Sequence, residues 1–115
     1  MRQRWEVAPF WGVFVLSLVS FLAPGPDLPA GPDISDKIEH AAIFAVLALT
    51  GRLAGFAVRP LLGALVAYAV TSEILQAVLP IHRDGDWHDV VADVTGTVLA
   101  LLLVAALGRV RKRSL

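Results

Sequence analysis

The chain has 115 residues, and its composition lies outside the usual range of soluble proteins. Hydrophobic residues make up 57% of it and charged residues 17%, whereas soluble domains are about 45–50% apolar. The chain has no cysteine, which excludes disulfides, thiolate nucleophiles and zinc–thiolate sites. At this length we expect one compact unit, and the composition indicates an integral membrane domain over 1–115.

Four apolar segments follow one another along the chain, and we expect each to form a membrane-spanning helix. They cover 7–23, 38–58, 61–79 and 87–107. Each holds about 17–21 residues, close to the ~20 that cross a ~30 Å hydrocarbon core. The predicted fold is therefore all-α, a four-helix transmembrane bundle.

Helix-breaking residues separate these segments. The stretch 24–35 holds four prolines and two glycines, so it does not continue a helix. Asp36 with Glu39 three residues later predicts a capping box at the start of the second segment. Arg59-Pro60 predicts a tight turn between the second and third segments.

The placement of lysine and arginine predicts how the bundle sits in the membrane. If the segments alternate in direction, eight of the ten basic residues fall on one side, and only Lys37 and Arg83 fall on the other. Cytoplasmic loops are the ones enriched in lysine and arginine. We therefore expect both termini in the cytoplasm, with the acidic loops on the extracytoplasmic side of a multi-pass protein.

Polar residues accumulate where the second, third and fourth segments approach the extracytoplasmic side. Within a segment they are three or four residues apart, which places each pair on one helix face. An arginine lies in the loop between the last two segments. We expect these side chains to converge in one outward-facing polar pocket: Asp36, His40, Glu73, Gln76, Arg83, Asp89 and Asp93.

Glu73 is the member that is hardest to explain as ordinary surface. It lies seven residues before Pro80, about 10 Å along a helix, near a C-terminus where the helix dipole disfavours a negative charge. A charged group at the centre of a span costs at least ~2.5–3.5 kcal/mol on insertion scales. We expect Glu73 to be protonated or paired with Arg83 or His40.

Simpler structural explanations cover some of the other residues. Asp36 fits helix capping, and Asp89 fits a first helical turn capped by Asp86. Asp93 lies one turn deeper, beyond the reach of capping, and His40 is open between a structural histidine and a site residue. The other polar residues of 82–88 fit solvated loop surface.

Small residues recur at a spacing of four. Ala92, Gly96 and Ala100 form one stripe, and Gly51 with Gly55 forms a GxxxG pattern. Such stripes let helix backbones approach closely. They fit packing within the chain and a homo-oligomer equally well.

The order of these motifs resembles the VanZ-like family of small bacterial membrane proteins. The chain carries DKIEHAAIF from Asp36, ExxQxxxP from Glu73, and then Arg83, Asp89 and Gly96. The family pattern reads roughly DKxxHxxxF, then ExxQ, then RxxxxxDxxxNxxG. The chain differs from it at Asp93, where the family usually has asparagine.

The resemblance implies a bacterial cell-envelope protein in the cytoplasmic (inner) membrane. The namesake of the family confers resistance to the glycopeptide teicoplanin, but the family has no settled biochemical activity. Membership alone therefore implies no particular reaction.

Three functions fit the residues. The first, which we favour, is an envelope protein that binds a lipid-linked cell-envelope intermediate or a lipophilic glycopeptide in the polar pocket. Arg83 would contact an anionic headgroup, since its planar fork donates two parallel hydrogen bonds. We expect no organic cofactor and no nucleic-acid partner.

The second function is a membrane enzyme acting on a lipid-linked phosphate or ester. Glu73 and His40 would be general base and acid, around a divalent metal held by Asp89 and Asp93. The chain has no HExxH, GxSxG or SxxK motif to support this. The third possibility is a buried ion-pair network that only stabilises the bundle.

Overall fold

The described part of the chain is all-helical. The computed structural model describes residues 4–23, 34–80 and 86–114, with side chains over 6–23, 36–80 and 86–109. It contains four α-helices in these ranges, which confirms the all-α prediction: α1 (Arg4–Leu22), α2 (Ile34–Leu53), α3 (Val58–Val78) and α4 (Trp87–Ser114). Residues 24–33 of the predicted break at 24–35, and the predicted loop at 81–85, lie outside the described residues. Ile34 and Ser35, the last two residues of that break, already belong to α2, so the helix begins earlier than predicted.

Two of the helices are long and apolar enough to span a membrane. These are Val58–Val78 in α3 and Trp87–Arg109 in α4. Glu6–Leu22 in α1 is a shorter apolar helix. The second helix carries charged residues near both of its ends, which lowers its overall hydrophobicity.

The turn between α2 and α3 comes earlier than the sequence predicted. We expected the second segment to reach Val58, but α2 ends at Leu53. Gly55 has a φ of 94°, and its N–H bonds to the Arg52 carbonyl at 3.0 Å. The N–H of Phe56 bonds to the Gly51 carbonyl at 3.0 Å, which completes a Schellman motif. Glycine adopts this φ without strain, so Gly55 ends the helix and is not part of the packing face that the GxxxG pattern had predicted. Gly51, the other glycine of the pattern, does pack closely, since a Cβ atom there would lie 2.7 Å from Leu61 Cδ1 on α3.

Prolines bound α3 at both ends. Pro60 lies in its first turn, not in the preceding turn as predicted, and there its missing N–H removes no helical bond. Leu79 is extended, with φ −81° and ψ 143°, because the ring of Pro80 disfavours a helical conformation in the residue before it.

The predicted capping box at the start of α2 is also wrong. Helix α2 already includes Ile34, so Asp36 lies in its first turn and not at the N-cap. A carboxylate there interacts favourably with the helix dipole. Glu39 instead accepts a 2.9 Å hydrogen bond from the Ser20 hydroxyl, which connects α2 to α1.

Helices α2 and α4 approach each other closely at Gly96. A Cβ atom at Gly96 would lie 2.1 Å from the carbonyl oxygen of Ala41. Below this contact lies an apolar core that includes Phe44, Leu47 and Ala100. The predicted stripe of small residues on α4 therefore packs within the chain at Gly96.

We expect Gly96→Ala to destabilise the protein by about 1–3 kcal/mol or more, because the new methyl group would force the α2 and α4 backbones apart. The matched control is Gly63→Ala, where no atom lies within 4 Å of the new Cβ. Removing a helical glycine there should stabilise α3 by about 0.5–1 kcal/mol. Thermal unfolding in detergent, followed by circular dichroism, measures both. Equal stability of the two variants would contradict the close approach.

Candidate functional site

Polar side chains from α2, α3 and α4 meet at one end of the bundle, beside the C-terminal end of α1. His40, Glu73, Gln76, Asp89 and Asp93 are all buried there. Asp36, Lys37 and Asp86 are half-buried beside them. We call these eight residues the polar cluster.

A histidine–aspartate pair forms the centre of the cluster. His40 Nδ1 and Asp93 Oδ1 are 2.8 Å apart, and both side chains are almost fully buried. The ring of Phe21 stacks on the imidazole at 4.6 Å with an interplanar angle of 9°. The hydrogen bond and the stacked ring together fix the orientation of His40. The second oxygen, Asp93 Oδ2, has no hydrogen-bond partner among the described residues.

The other ring nitrogen of His40 faces two more carboxylates. Nε2 lies 3.8 Å from Asp36 Oδ2 and 3.7 Å from Asp89 Oδ2. These separations are longer than a hydrogen bond. One atom from each of the three side chains therefore borders a common space, in which all three atoms lie within 4.8 Å of one another.

Lys37 and Asp86 belong to the cluster, although they are not among the site residues predicted from the sequence. Lys37 Nζ donates to Asp86 Oδ2 at 2.7 Å and to Asp89 Oδ1 at 2.5 Å. The signal that could have identified Lys37 is its position as one of two basic residues on the acidic side of the bundle.

Asp86 caps the start of α4, as the sequence predicted. Its Oδ1 accepts a 2.9 Å hydrogen bond from the backbone N–H of His88. The pKa of the Asp86 carboxyl lies well below its usual range because Lys37 and the His88 N–H both donate hydrogen bonds to it.

Glu73 has one satisfied and one unsatisfied oxygen. Oε2 accepts the backbone N–H of Asp86 at 2.8 Å, whereas the buried Oε1 has no hydrogen-bond partner among the described residues. The carboxyl group lies close to that of Asp89. We expected Glu73 to be protonated or paired with Arg83 or His40. The structure gives it a backbone partner and a neighbouring carboxyl group, with which a protonated Glu73 forms a hydrogen bond, and Arg83 lies outside the described residues.

Gln76 has a structural role. Its Nε2 donates to the carbonyl of Phe21 at 2.8 Å. That carbonyl belongs to the last turn of α1, where carbonyls have no partner within the helix. Gln76 therefore connects the end of α1 to α3. The groups of the cluster that suit ligand binding are the neighbouring carboxylates.

The structure brings six of the seven predicted site residues together, and the seventh, Arg83, falls in the loop that is not described. Spacing on each helix correctly placed the pairs on common faces. The contacts across helices, and the unsatisfied oxygens, could be seen only in the fold.

An apolar groove of about 410 Å³ lies between α1 and α3, toward the other end of the bundle. An aromatic contact connects it to the cluster, since Tyr68 in the groove lies 6.1 Å from Phe21, ring centre to ring centre. The residues that line it are Phe10, Trp11, Phe14, Phe56, Ala57, Pro60, Leu61, Ala64, Leu65 and Tyr68.

Comparison with protein-family models, with curated proteins and with solved structures finds no match to this chain. The resemblance to the VanZ-like family therefore stays a prediction from the sequence motifs.

We expect Asp93→Leu to destabilise the protein by about 1–3 kcal/mol more than Asp93→Asn. Leucine leaves the buried Nδ1–H of His40 without an acceptor, whereas the amide oxygen of asparagine still accepts it. Chemical or thermal unfolding of both variants in the same detergent measures the difference. Two variants of equal stability would show that the pair contributes nothing to the fold.

We expect Asp86 to stay ionised at pH values where an ordinary aspartate, with a pKa of about 3.9, is half protonated. Because its pKa is lower in the folded state, its contribution to stability is present above about pH 4 and is lost as the pH falls through the folded pKa. Carboxyl carbon NMR of the purified protein follows this titration. Lys37→Met should move the midpoint upward, and an unchanged midpoint would contradict the ion pair.

Proposed function

We propose that the chain is a multi-pass membrane protein of the bacterial cell envelope, of the VanZ-like type, that binds a lipid-linked or lipophilic ligand at the polar cluster. The observation that carries the proposal is a pair of buried oxygens, Glu73 Oε1 and Asp93 Oδ2, that accept no hydrogen bond from any described residue. Leaving a polar group buried and unpaired costs about 1–3 kcal/mol, so such atoms favour a ligand that supplies donors.

The distribution of side chains supports a membrane environment. Large apolar side chains cover the outside of the bundle, among them Leu16, Leu53, Val78 and Leu102, each more than 60% exposed. Four ionisable side chains of the cluster are buried inside it: His40, Glu73, Asp89 and Asp93. Soluble proteins show the opposite arrangement. We propose that α1 and α2 cross the membrane beside α3 and α4, and that lipid, or in part a second copy of the chain, covers this surface.

The positions of basic residues support an extracytoplasmic cluster. Arg52 and Arg59 lie at the turn between α2 and α3, at the opposite end of the bundle from the cluster. Arg52 Nη1 donates to the Phe56 carbonyl in that turn at 2.6 Å. Since basic loops favour the cytoplasm, we propose that the cluster faces outward from the inner membrane.

The charges of the cluster restrict the chemistry of the ligand. It holds five carboxyl groups, but only Lys37 and His40 as basic members. The exposed imidazole of His88 contacts the cluster at its edge, where Nδ1 lies 2.9 Å from Asp86 Oδ1. A ligand that contributes hydroxyl, amide N–H or ammonium groups would complement it. The sugar and peptide parts of a lipid-linked cell-wall intermediate, or of a lipophilic glycopeptide, carry such donors. We propose Arg83 as the contact for an anionic part of the same ligand.

The apolar groove between α1 and α3 suits the lipid chain of the ligand. Phe21, beside the cluster, and Phe10, in the groove, are on the same helix and are separated by about 16 Å along it. A lipid chain that begins at the cluster and runs along α1 would therefore reach the groove. Its lining is almost wholly apolar, as a hydrocarbon chain requires.

Native mass spectrometry of the protein extracted from its own membrane tests the proposal. We expect a discrete lipid-linked or glycopeptide adduct on the wild type. Glu73→Gln keeps an acceptor for the Asp86 N–H but turns the unpartnered acceptor into a donor. That should weaken ligand binding by about 1–3 kcal/mol, or roughly 5- to 150-fold.

Glu39→Gln is the matched control, because it makes the same chemical change on the exposed side of α2. It should keep the wild-type adduct. An identical lipid profile in all three proteins would refute ligand binding at the cluster. If Glu73→Gln instead lowers the unfolding temperature and the wild type carries no adduct, the cluster is a stabilising ion-pair network.

One observation favours an enzyme as the second candidate. In the His40–Asp93 pair a buried carboxylate orients an imidazole, an arrangement that also serves general acid–base catalysis. Turnover of a lipid-linked phosphate or ester, lost in His40→Gln with the helical signal retained, would select this function. The absence of turnover with lipids of the native membrane would remove it.

A further inference from the structure

We propose that the polar cluster binds one divalent transition-metal cation through Asp36, His40 and Asp89. The inference rests on the same site as the proposed function and specifies its chemistry. Nε2 of His40 lies 3.8 Å from Asp36 Oδ2 and 3.7 Å from Asp89 Oδ2. Two atoms that bind one ion at ~2.0–2.2 Å are roughly 3–4 Å apart, so these two separations suit a shared cation. All three ligand atoms lie within 4.8 Å of one another, so the two carboxylate oxygens need only a small movement toward the ion.

Asp93 prepares His40 to act as a ligand. A carboxylate only accepts hydrogen bonds, so the proton of the neutral imidazole is on Nδ1, which faces Asp93 Oδ1 at 2.8 Å. The lone pair of Nε2 then faces Asp36 and Asp89. Metal-binding histidines usually donate their other N–H to a carboxylate or a carbonyl in this way.

The charges around the space provide a second, independent reason. Glu73 is buried, with 6% of its surface exposed. No described group donates to its Oε1, and its carboxyl group lies within hydrogen-bonding reach of the Asp89 carboxyl, a bond that forms only when one of the two is protonated. Lys37 binds Asp89 through Oδ1, which leaves Oδ2 free to face His40. A dication between these groups would offset the negative charge that Lys37 alone does not balance.

The donor set indicates the class of metal. One imidazole with two carboxylates suits Zn²⁺, Mn²⁺ or Co²⁺, whereas Ca²⁺ and Mg²⁺ prefer oxygen ligands alone. Three protein ligands leave a coordination position open. An oxygen of the bound ligand, such as a hydroxyl or a phosphate oxygen, would take that position. An acidic cluster could in this way hold an anionic headgroup.

Cobalt binding tests the inference directly. The full chain, purified in detergent with a tag that lacks histidine and treated with EDTA, is titrated with Co²⁺. We expect visible d–d absorption bands that Zn²⁺ abolishes and Mg²⁺ does not. Asp36→Asn, His40→Gln and Asp89→Asn should each weaken Co²⁺ binding by more than about 100-fold. Asp93→Asn should weaken it by about 10- to 100-fold, as expected for a residue that orients a ligand.

Glu39→Gln, which removes a carboxylate from the same turn of α2, should leave the cobalt titration unchanged. Wild-type protein with a native helical circular dichroism spectrum but no Zn²⁺-displaceable bands overturns the inference, whatever the variants do. Full binding by a folded His40→Gln protein overturns it as well.

Mass spectrometry of wild-type protein that has not been treated with EDTA, recorded beside the cobalt titration, separates this inference from the proposed function. A discrete lipid adduct without a cobalt spectrum refutes the metal and leaves ligand binding intact. A cobalt spectrum without any adduct supports the metal and counts against the lipid ligand.

Discussion

The contact of Gly96 with the backbone of Ala41 is the constraint on which the polar cluster depends. It sets the distance between α2 and α4, because any side chain at 96 would clash with a carbonyl oxygen. His40 directly precedes Ala41, and Asp93 is one helical turn before Gly96. At this separation the two side chains meet at hydrogen-bond distance without water between them. A binding site built from side chains of different helices requires such a fixed helix spacing, because the distances between its binding atoms must be accurate to about 0.5 Å.

The same geometry explains why polar groups are buried at this end of an otherwise apolar bundle. Three buried side chains of the cluster have a partner on or next to another helix: His40 on α4, Gln76 on α1, and Glu73 at the start of α4. Among the buried side-chain atoms of the described residues, only Glu73 Oε1 and Asp93 Oδ2 have no hydrogen-bond partner. The buried polar atoms of the described cluster are thus nearly all hydrogen-bonded, and the two that are not are both acceptors. A ligand for these two oxygens must therefore supply hydrogen-bond donors or a cation.

Local features of the sequence predicted a large part of this arrangement. Segment length and composition gave the four helices, and spacings of three or four residues placed the polar pairs on common faces. Gly55 was misread because a packing glycine and a helix-ending glycine look alike until its φ is known. Lys37 was missed because its contacts with Asp86 and Asp89 join residues far apart in the chain. The sequence could not predict the unpaired oxygens either, because whether a buried oxygen has a hydrogen-bond partner depends on the positions of all its neighbours.

Asp86 connects three helices through one residue. Its side chain binds Lys37 on α2 and caps α4, while its backbone N–H binds Glu73 on α3. All three interactions depend on Asp86, so their contributions to the stability of the fold are not independent. A ligand that draws Glu73 away would release the Asp86 amide and thereby alter how α2 and α4 are joined. Ligand binding at the cluster would in this way change how the helices of the bundle pack.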